Sequence, residues 1–473
     1  MDVENDVPAT APGVVTSATR AVDVQRLAVP SYLGYAGGDF ANNLTFSLTS
    51  MFLLVYYTDV AGIAAGAAGT VLVVARIWGA FTDILAGRVV DRTHTRWGRF
   101  RPYFLLGGAP LMLITITLFT VPSRLSQDGA LVYAYVTYML FYLVYSFVNI
   151  PFGSLAGVMS QLPDERAKLS GARTVGAALA IILLAFVVAP QLTRAGNLQR
   201  SLTVTTVAFA VVGVVLYVTL FATSRENVER DAGAVSLRQA LSTVRGNRPL
   251  VLLCTSALFV LTGMFTLQTL QVYYARDVLG NADYVIVLSV LSIGGMFLTA
   301  PLLPRIVRAF GKKRAYMVSG MISVVGGIGI ALSPPSVPVL AFVSFAVYGV
   351  GLAVVQALMW TMEADTVEYG EWSTGARTEG SNYALLSFAR KVGQGLGGGI
   401  GAWGIGVGGY AAGAVTQSST ALETIRWVTG AAPAVFVAIG AAIVLAYPLT
   451  EQRFQDMVSE VALRRAIAEE AAT

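Results

Sequence analysis

The sequence predicts an all-α membrane protein, with twelve transmembrane helices in two six-helix bundles. Three observations carry that expectation. Of the 473 residues, 12% are charged and 55% hydrophobic, against about 25% charge in an ordinary soluble domain, so too little polar surface exists to cover a water-soluble fold. The apolar residues come in long runs, such as LMLITITLFTV after Pro110 and FVAIGAAIVLAYPL from Phe436, most of them reaching the ~20 residues that a bilayer-spanning helix requires. An arginine-rich polar stretch divides these runs into six and six.

Taken in order, the runs lie near 32–58, 64–87, 102–121, 131–157, 170–190 and 203–222, broken by charges or by Pro, Gly and Ser clusters. The polar stretch follows, with Arg225, Arg230, Arg238, Arg245 and Arg248, and the runs resume near 250–275, 284–304, 315–333, 338–362, 382–408 and 428–448. The chain therefore divides into an N-terminal tail at 1–30, a first bundle at 31–223, a linker at 224–249, a second bundle at 250–450 and a C-terminal tail at 451–473. The N-terminal tail carries Asp2, Glu4, Asp6 and Asp23 and lacks the basic-then-apolar order of a cleavable signal.

The net charge of +5 sits mainly in short loops between apolar runs, which points to membrane orientation rather than to nucleic acid. Arg88, Arg92, Arg96, Arg99 and Arg101 follow span 2, and Arg305, Arg308, Lys312, Lys313 and Arg314 follow span 8; the opposite loops hold isolated cations such as Arg124, Arg276 and Arg426. Both termini and the linker are thus expected on the cytoplasmic side of a bacterial inner membrane. The two basic loops, GRVVDRTHTRWGRFRP at 87–102 and PRIVRAFGKKRAY at 304–316, share the pattern of helix end, glycine turn and cation cluster. That suggests two halves of common plan with a binding site between them.

Ionisable residues inside spans cost about 3 kcal/mol on insertion scales, so each calls for a partner or a role. Span 1 sets Asp39 in a stripe with Tyr35, Asn43 and Phe46, and a carboxylate, an amide and aromatic rings together suit a sugar, whose hydroxyls pair and whose C–H face stacks. Span 2 holds Arg76 and Asp83 two turns apart on one face, placed to bridge to other helices. Span 4 offers Tyr145 and Asn149 just before Pro151, and span 5 begins with Arg173, which either faces the cavity or snorkels to the interface. Span 11 carries Tyr383, Ser387, Lys391 and Gln394 on one face, with Arg390 pointing about 100° away, and continues as the glycine-dense GQGLGGGIGAWGIGVGG. The segment before it, EADTVEYGEWSTGARTEG, reads as an acidic loop whose Glu363 and Asp365 are placed either to latch a gate against the basic loops or to face solvent.

No constellation suggests catalysis. His94 is the one histidine and Cys254 the one cysteine, so neither a zinc site nor a disulfide is expected. No phosphate-cradling glycine loop is present. The expectation is a secondary transporter, not an enzyme, with no cofactor, no ATP and no nucleic acid; it works as a monomer in the lipid bilayer.

Several strings now become informative together. They are GYAGGDFANN at 34–43, YYTDVAG at 56–62, ARIWGAFTDILAGRVVD at 75–91, RWGRFRP at 96–102, NIPFGSL at 149–155 and EADTVEYGEW at 363–372. Gly87, Asp91, Arg92, Arg96, Gly98 and Arg99 resemble the signature loop of the major facilitator superfamily. The set as a whole resembles its glycoside-pentoside-hexuronide:cation symporter branch, and the bacterial glucuronide carriers within it. The resemblance implies import of a small-molecule sugar glycoside, a glucuronide first among them, by cation symport and alternating access. It also implies that Asp39, Asn149 and Arg173 stand where the related melibiose permease binds sugar, Asn149 replacing an aspartate there, and that Lys391 stands at a lysine linking sugar and cation sites. Where that relative has a pair of aspartates for sodium, this chain has Gly79 and Asp83, with Thr82 and Ser146 as further oxygen donors. One carboxylate suffices for a proton, so H⁺ is favoured over Na⁺. The alternatives are a neutral glycoside or pentoside, a lysolipid carrier of the same fold, or a transport-inactive sensor, for which the tail after Thr450 looks too short.

Overall fold

Helix starts in this chain are written into short polar side chains. Ser126, Asn197, Asn247 and Ser418 each accept a hydrogen bond from the backbone N–H three residues on, opening four of the helices. The structure, a computed structural model, describes residues 27–160, 162–227, 246–374, 379–414 and 416–470. Most of the predicted N-terminal tail and of the linker, with Arg230, Arg238 and Arg245, lies outside them.

Twelve helices lie on the twelve apolar runs. They are α1 Val29–Val55, α2 Ala65–Asp91, α3 Arg101–Leu118, α4 Gln127–Met159, α5 Pro163–Val188 and α6 Leu198–Thr223, then α7 Arg248–Tyr273, α8 Tyr284–Thr299, α9 Leu303–Leu332, α10 Pro338–Thr374, α11 Glu379–Val407 and α12 Ser419–Leu445. A polar helix, α13 Glu451–Glu470, follows. Among the described residues, nine helices are long and apolar enough to cross a membrane. The long helices α1 and α11 fall outside that set, because their polar stripes lower the average; α8 is apolar but only 16 residues long. Exposed Val132, Val136 and Leu140 line one face of α4 at a spacing of four, as a lipid-facing stripe should.

One expectation changes. The acidic segment is no loop up to Thr374, because α10 continues through Glu363, Asp365, Glu368 and Glu371. No proline follows Pro338 within α10 and Gly370 is carried inside the helix, so the helical backbone takes the charges out of the apolar run.

The packing repeats with a step of six helices. In the first half α1 packs on α5 and α6, α2 on α4, and α3 on α4 and α6; in the second α7 packs on α11 and α12, α8 on α10, and α9 on α10 and α12. Small devices repeat with it. Both α1 and α7 end in one wider turn, Tyr56–Val60 and Tyr274–Val278, closed by a glycine with positive φ, Gly62 at 68° and Gly280 at 72°. In the basic loops, Gly98 and Gly311 also take positive φ. Arg101 then donates to the Phe221 carbonyl at the end of α6 (2.7 Å), and Lys313 to the Leu445 and Tyr447 carbonyls at the end of α12 (2.8 Å each). Each cation thus meets the negative end of a helix dipole.

Between the halves, contacts run α1 to α7, α2 to α11 and α5 to α8. The α2–α11 seam is close: a Cβ at Gly399 of α11 would strike Val73 Cγ2 of α2, and one at Gly69 of α2 would stand 2.8 Å from Ala402 Cβ of α11.

Candidate functional site

The residues singled out on α1, α4 and α5 converge inside the first half. Asp39 is buried, and its two oxygens accept from Arg173 Nε (2.9 Å) and Asn43 Nδ2 (2.9 Å). Asn43 in turn accepts from Ser47 Oγ (3.2 Å). The carboxylate is therefore held by one cation and one amide, which offsets its desolvation. The Arg173 side chain stays 45% exposed and rides over the Phe152 ring at 5.4 Å; it does more than snorkel. Tyr35 is buried, stacked on Phe152 at 4.7 Å. Tyr145 stacks on Phe46 at 5.9 Å, and its hydroxyl reaches Asn149 Oδ1 at 3.4 Å. Helix α4 passes through Pro151 unbroken.

A second cluster lies between the halves. Asp83 Oδ2 meets Lys391 Nζ at 2.5 Å, its Oδ1 accepts from Ser146 Oγ (2.6 Å), and Ser146 and Thr82 share a hydrogen bond of 2.8 Å. Lys391 also donates to the Gly79 carbonyl (3.1 Å). The three predicted cation-site residues are thus together, with an ammonium already against the carboxylate. A second carboxylate at 79 would not fit as packed, since a Cβ there would stand 2.6 Å from the Tyr142 ring.

Two further cations lie in the same zone. Arg76 is buried; it donates to Ser50 Oγ and to the Gln394 carbonyl (2.7 Å each) and packs on the Phe46 and Phe265 rings at 5.5 and 4.8 Å. Arg390 lies over the Trp360 ring at 4.4 Å. Among the described residues neither has an acidic partner.

Comparison with known proteins fits this geometry. Residues 34–451 match the family described as MFS/sugar transport protein. The chain belongs to that family. It is 41% identical over 451 residues to the glucuronide carrier protein homolog of Escherichia coli K12, covering 94% of this chain and 98% of that one. It is 32% identical to the isoprimeverose transporter of Lactiplantibacillus pentosus, covering 83% of each. Solved structures share the fold: a bacterial homolog of the human lysosomal transporter Spinster, inward-facing and occupied (15% identity, TM-score 0.65, 90% and 97% covered), and the nucleoside transporter NupG (14%, 0.61, 91% and 99%). The protein is a multi-pass membrane transporter of the major facilitator superfamily, not an enzyme.

In this MFS sugar-transport chain the two ends of the bundle differ. At the basic end, Arg99 pairs with Asp91 (2.6 Å), while Arg92 is exposed and Arg96 lies over Trp97 at 4.9 Å. Glu226, just after α6, accepts the backbone N–H groups of Arg99, Phe100 and Arg101 (2.8, 2.8 and 3.1 Å), capping α3. Asp365 pairs with Lys312 (2.7 Å), so the acidic segment does meet the second basic loop, but within one half. Glu363 is half-buried and makes no ion pair among the described residues.

The opposite, distal end carries a network that the sequence reading missed. Arg276 pairs with Asp59 (2.6 Å) across the halves and with Asp277 (2.8 Å) beside it; it also donates to Tyr410 Oη (2.6 Å), which donates to Asp59 (2.8 Å). Thr58 and Tyr273 share a hydrogen bond of 2.9 Å, and Arg194 pairs with Asp283. Arg276 had looked like an isolated loop cation. The signal was present in the repeated strings YYTDVAG and YARDVLG, which set an acid at the same place in each half.

Proposed function

We propose that this transporter imports a glucuronide in symport with a proton, by alternating access between its two halves. The observation that carries the reading is the charge of the central zone: Arg173 and Lys391 are neutralised by Asp39 and Asp83, while Arg76 and Arg390 add positive charge with no acidic partner among the described residues. An anionic solute is the natural complement. Tyr35, Tyr145, Phe46 and Phe152 supply aromatic faces, and Asn149 supplies an amide where a carboxylate would repel a uronate. Similarity to a glucuronide carrier homolog points the same way.

The basic end faces the cytoplasm on this reading, and the distal network closes the outer side. Proton coupling follows from the Asp83 cluster. A single carboxylate with a resident ammonium is a poor sodium site, because sodium would have to displace Lys391 and find several oxygens. A proton on Asp83 instead releases Lys391, raises the positive charge between the halves and favours binding of the anion. Proteoliposomes given a radiolabelled aryl glucuronide, with pH and sodium gradients imposed separately, test this. An inward proton gradient should drive accumulation in sodium-free buffer, and an added sodium gradient should change the rate little. Obligatory sodium overturns the coupling; uptake of neutral glycosides alone overturns the substrate.

A further inference from the structure

We propose that Arg390, seated on the indole of Trp360, binds the substrate's carboxylate and sets the preference for an anionic over a neutral sugar. The inference rests on the reading of the substrate as a uronide, and it gives a task to a residue that helical spacing set off the face of Lys391.

Elimination comes first. Arg173 and Lys391 each already hold a carboxylate, at 2.9 and 2.5 Å. Binding a second anion at Arg173 would mean sharing the cation or expelling Asp39, and Lys391, freed when Asp83 takes its proton, still donates to the Gly79 carbonyl (3.1 Å). Arg76 is sealed, with both terminal nitrogens bonded to Ser50 and the Gln394 carbonyl and a ring on two sides. Arg76 and Arg390 both lack an acidic partner among the described residues, and each has a buried Nε without a hydrogen bond; but the terminal nitrogens of Arg76 are taken, whereas among the described residues Arg390 has no hydrogen bond at all. Leaving a buried donor unmet costs free energy, so the position is built for something that arrives.

Geometry makes the case positive. The Trp360 ring holds the guanidinium from one face at 4.4 Å, a cation–π contact that fixes its plane and leaves its donor edge free. A planar fork with a free edge matches a carboxylate in two parallel hydrogen bonds. Tyr383 stacks on the same indole, its ring 6.0 Å from Trp360, which extends an aromatic floor for the C–H face of a sugar ring. Arg390 is also one residue from Lys391, whose ammonium meets Asp83 of the first half at 2.5 Å, which puts it next to the seam between the halves.

Equilibrium binding to the purified full-length transporter tests the assignment, with phenyl glucuronide compared against its uncharged carboxamide. Wild type should favour the carboxylate at least about tenfold, Arg390→Gln should lose that preference while still binding the carboxamide, and Arg390→Lys should keep part of it. A wild type indifferent to the carboxylate sinks the uronide reading and this proposal with it. A wild type that prefers it, beside an Arg390→Gln variant with the same preference, sinks this proposal alone. Equal loss of both ligands in Arg390→Gln, unrelieved in Arg390→Lys, assigns the residue to structure and also overturns it.

Discussion

The two halves of this transporter agree at their ends and disagree in their middles. Gly62 and Gly280 close matching turns, and Arg101 and Lys313 cap matching helix ends. Halfway along, the first half holds the acids Asp39 and Asp83, and α11 of the second brings Lys391 against Asp83 and adds Arg390, seated on Trp360. The repeat survives where a chain must turn or a dipole must be met, needs common to both halves. It breaks where a solute is to be handled, because a site between two identical faces would have no reason to place an acid opposite a base.

The largest expected effect comes from the pair that joins the unlike middles. Removing one partner of a buried ion pair costs about 3–5 kcal/mol, so Lys391→Ala should lower thermal stability and abolish concentrative uptake. The double variant Asp83→Asn/Lys391→Gln should recover much of the stability without recovering accumulation. Wild-type accumulation in Lys391→Ala would remove the pair from the transport cycle.

A middle-sized effect should separate two acids that the repeat makes equivalent. Asp59 reaches across to Arg276 and Tyr410, whereas Asp277 bonds Arg276 within its own half. In a Cys254→Ala background, a cysteine at Thr70, on the α2–α11 seam, should react with a distal-side thiol reagent several-fold faster once Asp59 becomes Asn. Asp277→Asn should change that rate less. Equal rates in the two variants would mean that the network closes the distal end without depending on the cross-half bond.

The smallest effect tests the matching ends themselves. Alanine at Gly62 or Gly280 must adopt positive φ, at about 1–2 kcal/mol each, and neither position has a neighbour that a Cβ would strike. The two variants should therefore lose similar thermal stability. A difference well beyond that range would show that the turns are equivalent in shape but not in load.

Much of this was legible in the sequence, for reasons that can be named. The apolar runs located the helices because lipid forbids unpaired backbone, and Asp39, Asp83, Arg173 and Lys391 stood out because charges in spans need partners. Spacing could not say which charges pair. Arg173 with Asp39 and Lys391 with Asp83 are contacts over 134 and 308 positions of chain, set by helix packing. Arg390 was discounted for pointing away from Lys391, since a helical wheel has no place for the neighbouring helix that supplies Trp360. Arg276 was misread for a similar reason: a cation beside a loop looks solvated until the partner half arrives with Asp59. The acidic segment was taken for a loop because charge density outweighed the helix-forming residues in it.

The packing of Tyr142 against Gly79 limits more than which ion fits. With room for one carboxylate, the coupling proposed here carries one proton per cycle, and a uronate carries one negative charge. Solute and proton together then move no net charge, and the empty carrier returns with Asp83 and Lys391 neutralising each other. Such a cycle draws on the pH difference across the membrane and is indifferent to its voltage: each unit of pH supports about a tenfold concentration ratio, while collapse of the membrane potential alone leaves the final accumulation unchanged.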